Sequence, residues 1–78
     1  MPYRDWEPGE RMSSPGSTRH TFKVRNRSGE RGKYSLKIGS QGTEQFTISS
    51  GQTERHDCGD QAVVGVNKGK GNLEWLRD

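Results

Sequence analysis

The sequence predicts an all-β protein: a small antiparallel sandwich or barrel of five to seven short strands, preceded by an irregular N-terminal arm. Three observations predict it. Between Thr21 and Ile38 apolar and polar residues alternate with period two, the spacing at which a strand sends successive side chains to opposite faces. From residue 20 onward, glycine-bearing turns cut the chain into short stretches. No segment carries a sustained 3.6-residue apolar period, so no helix is predicted.

Residues 1–19 contain Pro2, Pro8 and Pro15 and the run Ser13-Ser14-Pro15-Gly16-Ser17. Proline fixes φ and removes a backbone donor, so an irregular arm is expected here, ahead of a single β domain over residues 20–78. Tyr3, Trp6 and Met12 are the large apolar groups of the arm. An aromatic pair is costly to leave in water, so Tyr3 and Trp6 are expected to dock on a β-sheet surface of this or a neighbouring subunit.

The first predicted strand covers residues 20–27. A turn at residues 28–32 leads into a second strand at 33–38, giving a hairpin with two unlike faces. Phe22, Val24, Tyr34, Leu36 and Ile38 form the apolar face, and the cations alternate with them on the other. A third strand at 43–49 carries Phe46 and Ile48 on one side. A fourth at 53–58 is polar and is expected at an edge. The fifth, at 61–66, is the most apolar stretch of the chain and reads as central. A last strand covers 73–76. The implied core adds Ala62, Val64, Val66, Leu73 and Trp75, leaving Val63 and Leu76 on the opposite parity.

Composition bounds the rest. At 78 residues the chain holds one domain. Leu, Ile, Val and Phe supply 11 of the 78 residues, a thin core for a domain that already buries little surface, and support from a partner or a second copy is expected. Against disorder stand the modest net charge of +3 and the ordered alternation. Cys58 is the single cysteine, so no internal disulfide staples the fold. The first residues lack the apolar stretch of a signal peptide, and no run approaches the length of a membrane span. These features favour a cytoplasmic or virion-internal protein, with a processed secreted fragment as the other possibility. Asn26-Arg27-Ser28 matches a glycosylation acceptor, a pattern short enough to arise by chance. Charge is uneven: residues 1–39 hold nine Lys/Arg against four Asp/Glu, and residues 40–78 hold four against six. Such asymmetry suits a polyanion-binding face or complementarity between copies.

Four constellations could carry chemistry. Lys23, Arg25, Arg27, Lys33 and Lys37, with Arg31 at the turn, would form a basic hairpin face able to neutralise phosphates. The plainer account is a solvated face whose charges discourage edge pairing, and the aromatics that would stack on bases fall in the core. His56 and Cys58 share a strand face, with Glu54 on the same side and His20 a possible neighbour. That is one close ligand pair where a structural zinc site needs two, so no metal or cofactor is predicted. The loop Lys68-Gly69-Lys70-Gly71-Asn72 lacks phosphate-loop spacing and opens no helix. Trp75, Trp6, Tyr3 and Tyr34 could stack on a sugar, yet alternation places Trp75 in the core. In architecture alone the chain resembles immunoglobulin-like modules, without their cysteine and tryptophan marks.

The sequence therefore points to a non-enzymatic binding or assembly module that self-associates through its sheet surface and its arm. Its partner is expected to be a protein or a second copy, with no membrane role. A polyanion-binding protein, taking nucleic acid or acidic polysaccharide on the basic face, is the alternative. A carbohydrate-binding module is third.

Overall fold

A computed structural model describes residues 2–78 and gives, among them, eight strands. In chain order these are β1 (Arg4–Trp6), β2 (Arg11–Ser14), β3 (His20–Arg25), β4 (Gly32–Ile38), β5 (Glu44–Ile48), β6 (Thr53–Gly59), β7 (Val63–Asn67) and β8 (Leu73–Arg77). They form two four-stranded antiparallel sheets with orders β1-β8-β3-β6 and β2-β7-β4-β5. This is a jelly roll, in which the chain repeatedly passes from one sheet to the other. Advancing every strand number by four converts one sheet order into the other, so the fold has a pseudo-twofold relation between its sheets.

The six strands after residue 20 lie where the alternation puts them, with β6 at an edge and β7 inside its sheet. The arm differs. Instead of an irregular lead-in it contributes β1 to one sheet edge and β2 to the other. Its prolines are compatible because none lies within a strand. Pro8 and Gly9 form the tight turn between β1 and β2, closed by Glu10 N donating to Glu7 O at 3.0 Å, with Gly9 at φ +79°. Pro followed by a left-handed Gly is the chemistry of a type II turn.

The expected hairpin of residues 20–38 is also different. β3 and β4 are not paired; they stand in opposite sheets. Their apolar sides face one another across the core, and the chain crosses between sheets through residues 26–31. Asn26, fully buried, organises that crossing. Its Nδ2 donates to Glu30 O (2.8 Å) and Ile48 O (3.0 Å), while its Oδ1 accepts from Ser28 N (2.9 Å) and Ser28 Oγ (2.7 Å). Asn67 repeats the device between β7 and β8. Its Nδ2 donates to Gly71 O (3.0 Å) and Trp6 O (2.8 Å), and its Oδ1 accepts from Gly69 N (3.0 Å). Each carboxamide thus ties its loop backbone to a buried strand carbonyl, Ile48 O or Trp6 O, giving these groups partners that a sheet ladder does not reach.

The core is built on Trp6, Phe22, Val24, Tyr34, Leu36, Ile48, Val63 and Leu73, with Met12 and Cys58 at its margins. Trp6 is fully buried, meets Phe22 edge-on at 6.2 Å and lies 5.7 Å from Tyr34, and its indole Nε1 donates to Glu10 O at 2.8 Å. The inward face of β7 is Val63, Gly65 and Asn67; Ala62, Val64 and Val66 are outside. The parity is the reverse of the expected one because the indole takes the space over Gly65. A Cβ there would sit 3.1 Å from Trp6 Cη2 and 2.8 Å from Leu36 Cδ2.

Trp6→Ala should therefore lower the unfolding free energy by about 3–5 kcal/mol in urea denaturation. Gly65→Ala should cost about 1–3 kcal/mol in the parent. The same change should cost less when Trp6 is already Ala, a coupling that a double-mutant cycle measures. Asn26→Ala and Asn67→Ala should each cost about 1–3 kcal/mol for each buried backbone group left without a partner.

Candidate functional site

The six cations of the anticipated basic face do not share a surface. Lys23 and Arg25 point outward from the β1-β8-β3-β6 sheet, Lys33 and Lys37 point outward from the β2-β7-β4-β5 sheet, and Arg27 and Arg31 are exposed in the crossing loop. The division follows from β3 and β4 facing each other across the core, which turns their polar sides in opposite directions.

The two outer faces differ in electrostatics. On the first, charges of both signs interleave. Lys23 Nζ lies 3.0 Å from Asp78 Oδ2, and Arg25 Nε donates to Glu74 Oε1 at 2.9 Å. Lys23 holds the Asp78 carboxyl below the usual carboxylate range. The Arg25 guanidinium also lies over the ring of Tyr3, 3.9 Å from its centre, so the half-buried Tyr3 packs on the outside of this sheet while Trp6 is in the core.

The second face carries one sign only. Its outward positions are Arg11 and Ser13 on β2, Val64 and Val66 on β7, Lys33, Ser35 and Lys37 on β4, and Gln45 and Thr47 on β5. None is acidic. Glu44, the one acid in these four strands, pairs with Leu36 on the opposite parity. Lys68 follows β7 and joins the face where its N–H donates to Lys33 O at 2.9 Å. Here the surface forms a groove of about 320 Å³ whose lining includes Arg11, Lys37, Lys68, Val64, Val66 and Ser35. The valines are half-exposed, and the three lining cations and the neighbouring Lys33 are exposed.

Sequence reasoning does not single out Arg11, places Val64 and Val66 in the core, and weighs Lys68 only as part of the glycine loop at 68–72. For the valines the obstacle was parity, since Val63 to Val66 can be read with either face inward. Gly65 was the available signal, because a strand glycine marks a place where another group approaches closely. For Arg11 the signal was the Pro8-Gly9 turn, which makes the following residues a strand candidate.

His56 and Cys58 do share the inner side of β6, but they are engaged in the fold. Tyr34 Oη and His56 Nε2 are 2.8 Å apart, and Phe46 meets the imidazole edge-on at 4.7 Å. Burial, and secondarily the nearby Glu54 charge, pushes the Tyr34 phenol up, so it keeps its proton. Burial pushes the His56 imidazole below its ordinary value against the opposing pull of Glu54 and Glu44. Burial likewise raises the Cys58 thiol, the reverse of nucleophile activation. His20 is buried at the neighbouring strand end, with Nδ1 2.9 Å from Thr18 O and Nε2 without a partner. Among the described residues no three metal-ligating groups come together.

A second groove, of about 260 Å³, opens beside Trp75 and is lined by Arg4, Arg77 and Pro15 among others. Its residues are tied into the fold. Trp75 stacks on Phe22 at 5.8 Å, Arg4 lies over its ring at 5.5 Å, and Arg77 donates to Ser14 Oγ (3.1 Å), Pro15 O (2.5 Å) and Thr18 Oγ1 (3.0 Å).

Because the folded His56 has a depressed pKa, its contribution to stability is present above the unfolded value of about 6.5 and is lost as pH falls through the folded pKa. Thermal melts should show this acid limb, and His56→Gln should flatten it. An NMR titration of the parent should place the His56 midpoint below 6.5.

No protein-family model and no curated protein matches the sequence. Solved structures do match in shape. The crystal structure of Drosophila melanogaster CENP-C bound to CAL1 superposes with a TM-score of 0.53 at 18% identity, over 97% of this chain and 59% of the other. The Drosophila melanogaster CENP-C cupin domain gives 0.53 at 17% identity, over 97% and 54%. The chain therefore spans little more than half of the chains it resembles. At such identity the likeness shows the fold: this is a jelly roll of the kind found in the CENP-C cupin domain.

Proposed function

We propose that the chain is a non-enzymatic protein-binding module that presents the outer face of the β2-β7-β4-β5 sheet to its partner. The observation that carries this reading is a groove with an apolar floor, three cations in its lining and a fourth, Lys33, on the same face, with no outward carboxylate on the four strands. Two features support it. The interior of the jelly roll is filled by the rings of Trp6, Phe22 and Tyr34, whereas ligand-holding barrels keep a chamber open. The histidine, tyrosine and cysteine that could react are bonded to one another or buried. One of the structures sharing the fold is a complex, CENP-C with CAL1, which favours a binding role by analogy of fold.

Self-association would not pair this face with itself, since four cations would meet four. It would join the face to a different surface, such as the edge that carries Glu44 and Glu54. Of the arm's two aromatics only Tyr3 is left for an outer surface, because the tryptophan is taken up by the chain's own core. Polyanion binding is the second reading, favoured by the unpaired cations of the same face. The sugar-binding reading loses its platform, as Trp75 spends its ring faces on Phe22 and Arg4.

A photo-crosslinking residue in place of Val66 should yield adducts that mass spectrometry identifies as polypeptide when the protein is irradiated in its own cells. The same residue in place of Thr53, on the other sheet's outer face, should yield few. Nucleic-acid adducts at position 66 would favour the polyanion reading, and equal yields at both positions would remove the case for this face.

A further inference from the structure

We propose that the groove on the β2-β7-β4-β5 face takes an extended polypeptide segment that combines acidic with apolar side chains. The proposal rests on the protein-binding reading above and names the chemistry of the partner.

The groove has β7 as its floor and reaches across β4 to Thr43 and Gln45 at β5, and its stretch over β7 is a trough. Its floor is Val64 and Val66, two residues apart and on the same side. Arg11 stands on one wall, directly across from Val66 on β2. Lys37 stands on the other, directly across from Val64 on β4. Lys33 continues that wall, and Lys68 closes the end of the trough beside it. Neighbouring strands are about 4.8 Å apart, so the walls flank the floor by roughly one strand spacing on each side. Along the trough, the spacing of alternate residues is about 6.7 Å, equal to the side-chain repeat of an extended chain lying parallel to it. Such a chain can set every second, apolar side chain on the valines and leave the intervening carboxylates within reach of the long cationic side chains that rise from both walls.

Charge complementarity selects acid. On the opposite sheet face, Lys23 and Arg25 are answered by Asp78 and Glu74. Here no outward carboxylate exists on any of the four strands, so the four cations are free to meet acidic groups brought by a partner. The apolar floor selects polypeptide over nucleic acid. Phosphates gain nothing from Val64 and Val66, and no outward position of the sheet is aromatic, so bases have nothing to stack on. A second copy presenting this same face is opposed by like charge.

The test is fluorescence anisotropy of the full chain with four labelled probes: a short peptide alternating Glu and Val, its counterpart alternating Lys and Val, oligothymidine, and heparin. The acidic peptide should bind, and the basic one should not. Lys37→Glu with Lys68→Glu should weaken binding at least about tenfold, as charge reversal at a complementary interface does. Val64→Ser with Val66→Ser should weaken it several-fold, and Lys23→Glu should leave it unchanged. Circular dichroism confirms that each variant is folded. Tighter binding of oligothymidine or heparin, indifferent to the valine changes, would overturn the proposal in favour of a general polyanion site. A dimer by native mass spectrometry that Lys37→Glu dissolves would overturn it in favour of a second copy. If the acidic peptide fails while polypeptide still crosslinks at position 66, the acidic chemistry is wrong and the protein-binding reading stands. If both fail, both fall.

Discussion

Asn26 and Asn67 occupy equivalent places in the two halves of the jelly roll, and the rest of the structure is arranged around what they bind. Each stands at the end of a strand, Asn26 just after β3 and Asn67 as the last residue of β7, is buried, and accepts from the N–H two residues on while donating to the C=O four residues on. Each also donates to a carbonyl in a distant strand, Ile48 O for Asn26 and Trp6 O for Asn67. Those distant strands are β5 and β1, which the pseudo-twofold exchanges. A chain that leaves one sheet and enters the other must strip its backbone of ladder partners while passing the end of the core. Buried backbone groups left unpaired are costly in so small a core, and at these two crossings a single side chain supplies both the donor and the acceptor.

The bond from Asn67 to the carbonyl of Trp6 links that crossing to the arm. Holding the end of β1 in place delivers the indole into the middle of the sandwich, where it packs on Phe22 and Tyr34. The scarcity of aliphatic residues is met within the chain by one large ring from the N-terminal strand. That ring then decides the orientation of β7. With Gly65 beneath the indole, Val63 faces inward and Val64 and Val66 face outward. The apolar floor of the outer groove is thus a by-product of how the core is filled.

The same crossing distributes charge. Had β3 and β4 been neighbours in one sheet, their cations would have combined into a single patch. Facing each other across the core, they divide it. Lys23 and Arg25 find carboxylates on β8 and the C-terminal residue, while Lys33 and Lys37 join Arg11 and Lys68 on a face that has none. Fold topology, more than net charge, produces a surface of one sign on a chain whose overall balance is modest.

The six strands after residue 20 were legible because their information is local. Alternation within β3, β4, β5, β6 and β8, with glycines between them, states which residues are extended and which side of each is apolar. The inner sides of β3 and β4 follow directly from it, as does the shared side of His56 and Cys58. The arm's strands were obscured by proline, whose local meaning as a strand breaker holds only until its position in the turn is known. The inward side of β7 was obscured because four consecutive small and apolar residues satisfy either parity. Amino-acid order by itself determined the extended segments, the turns and the two-sidedness of most strands, since these depend on neighbours in the chain. Tertiary structure alone decided that β3 and β4 oppose rather than pair, that Trp6 fills the volume above Gly65, and that the valines and four distant cations share a face. Those outcomes depend on which surfaces compete for the same space, and that competition exists only once the sheets have come together.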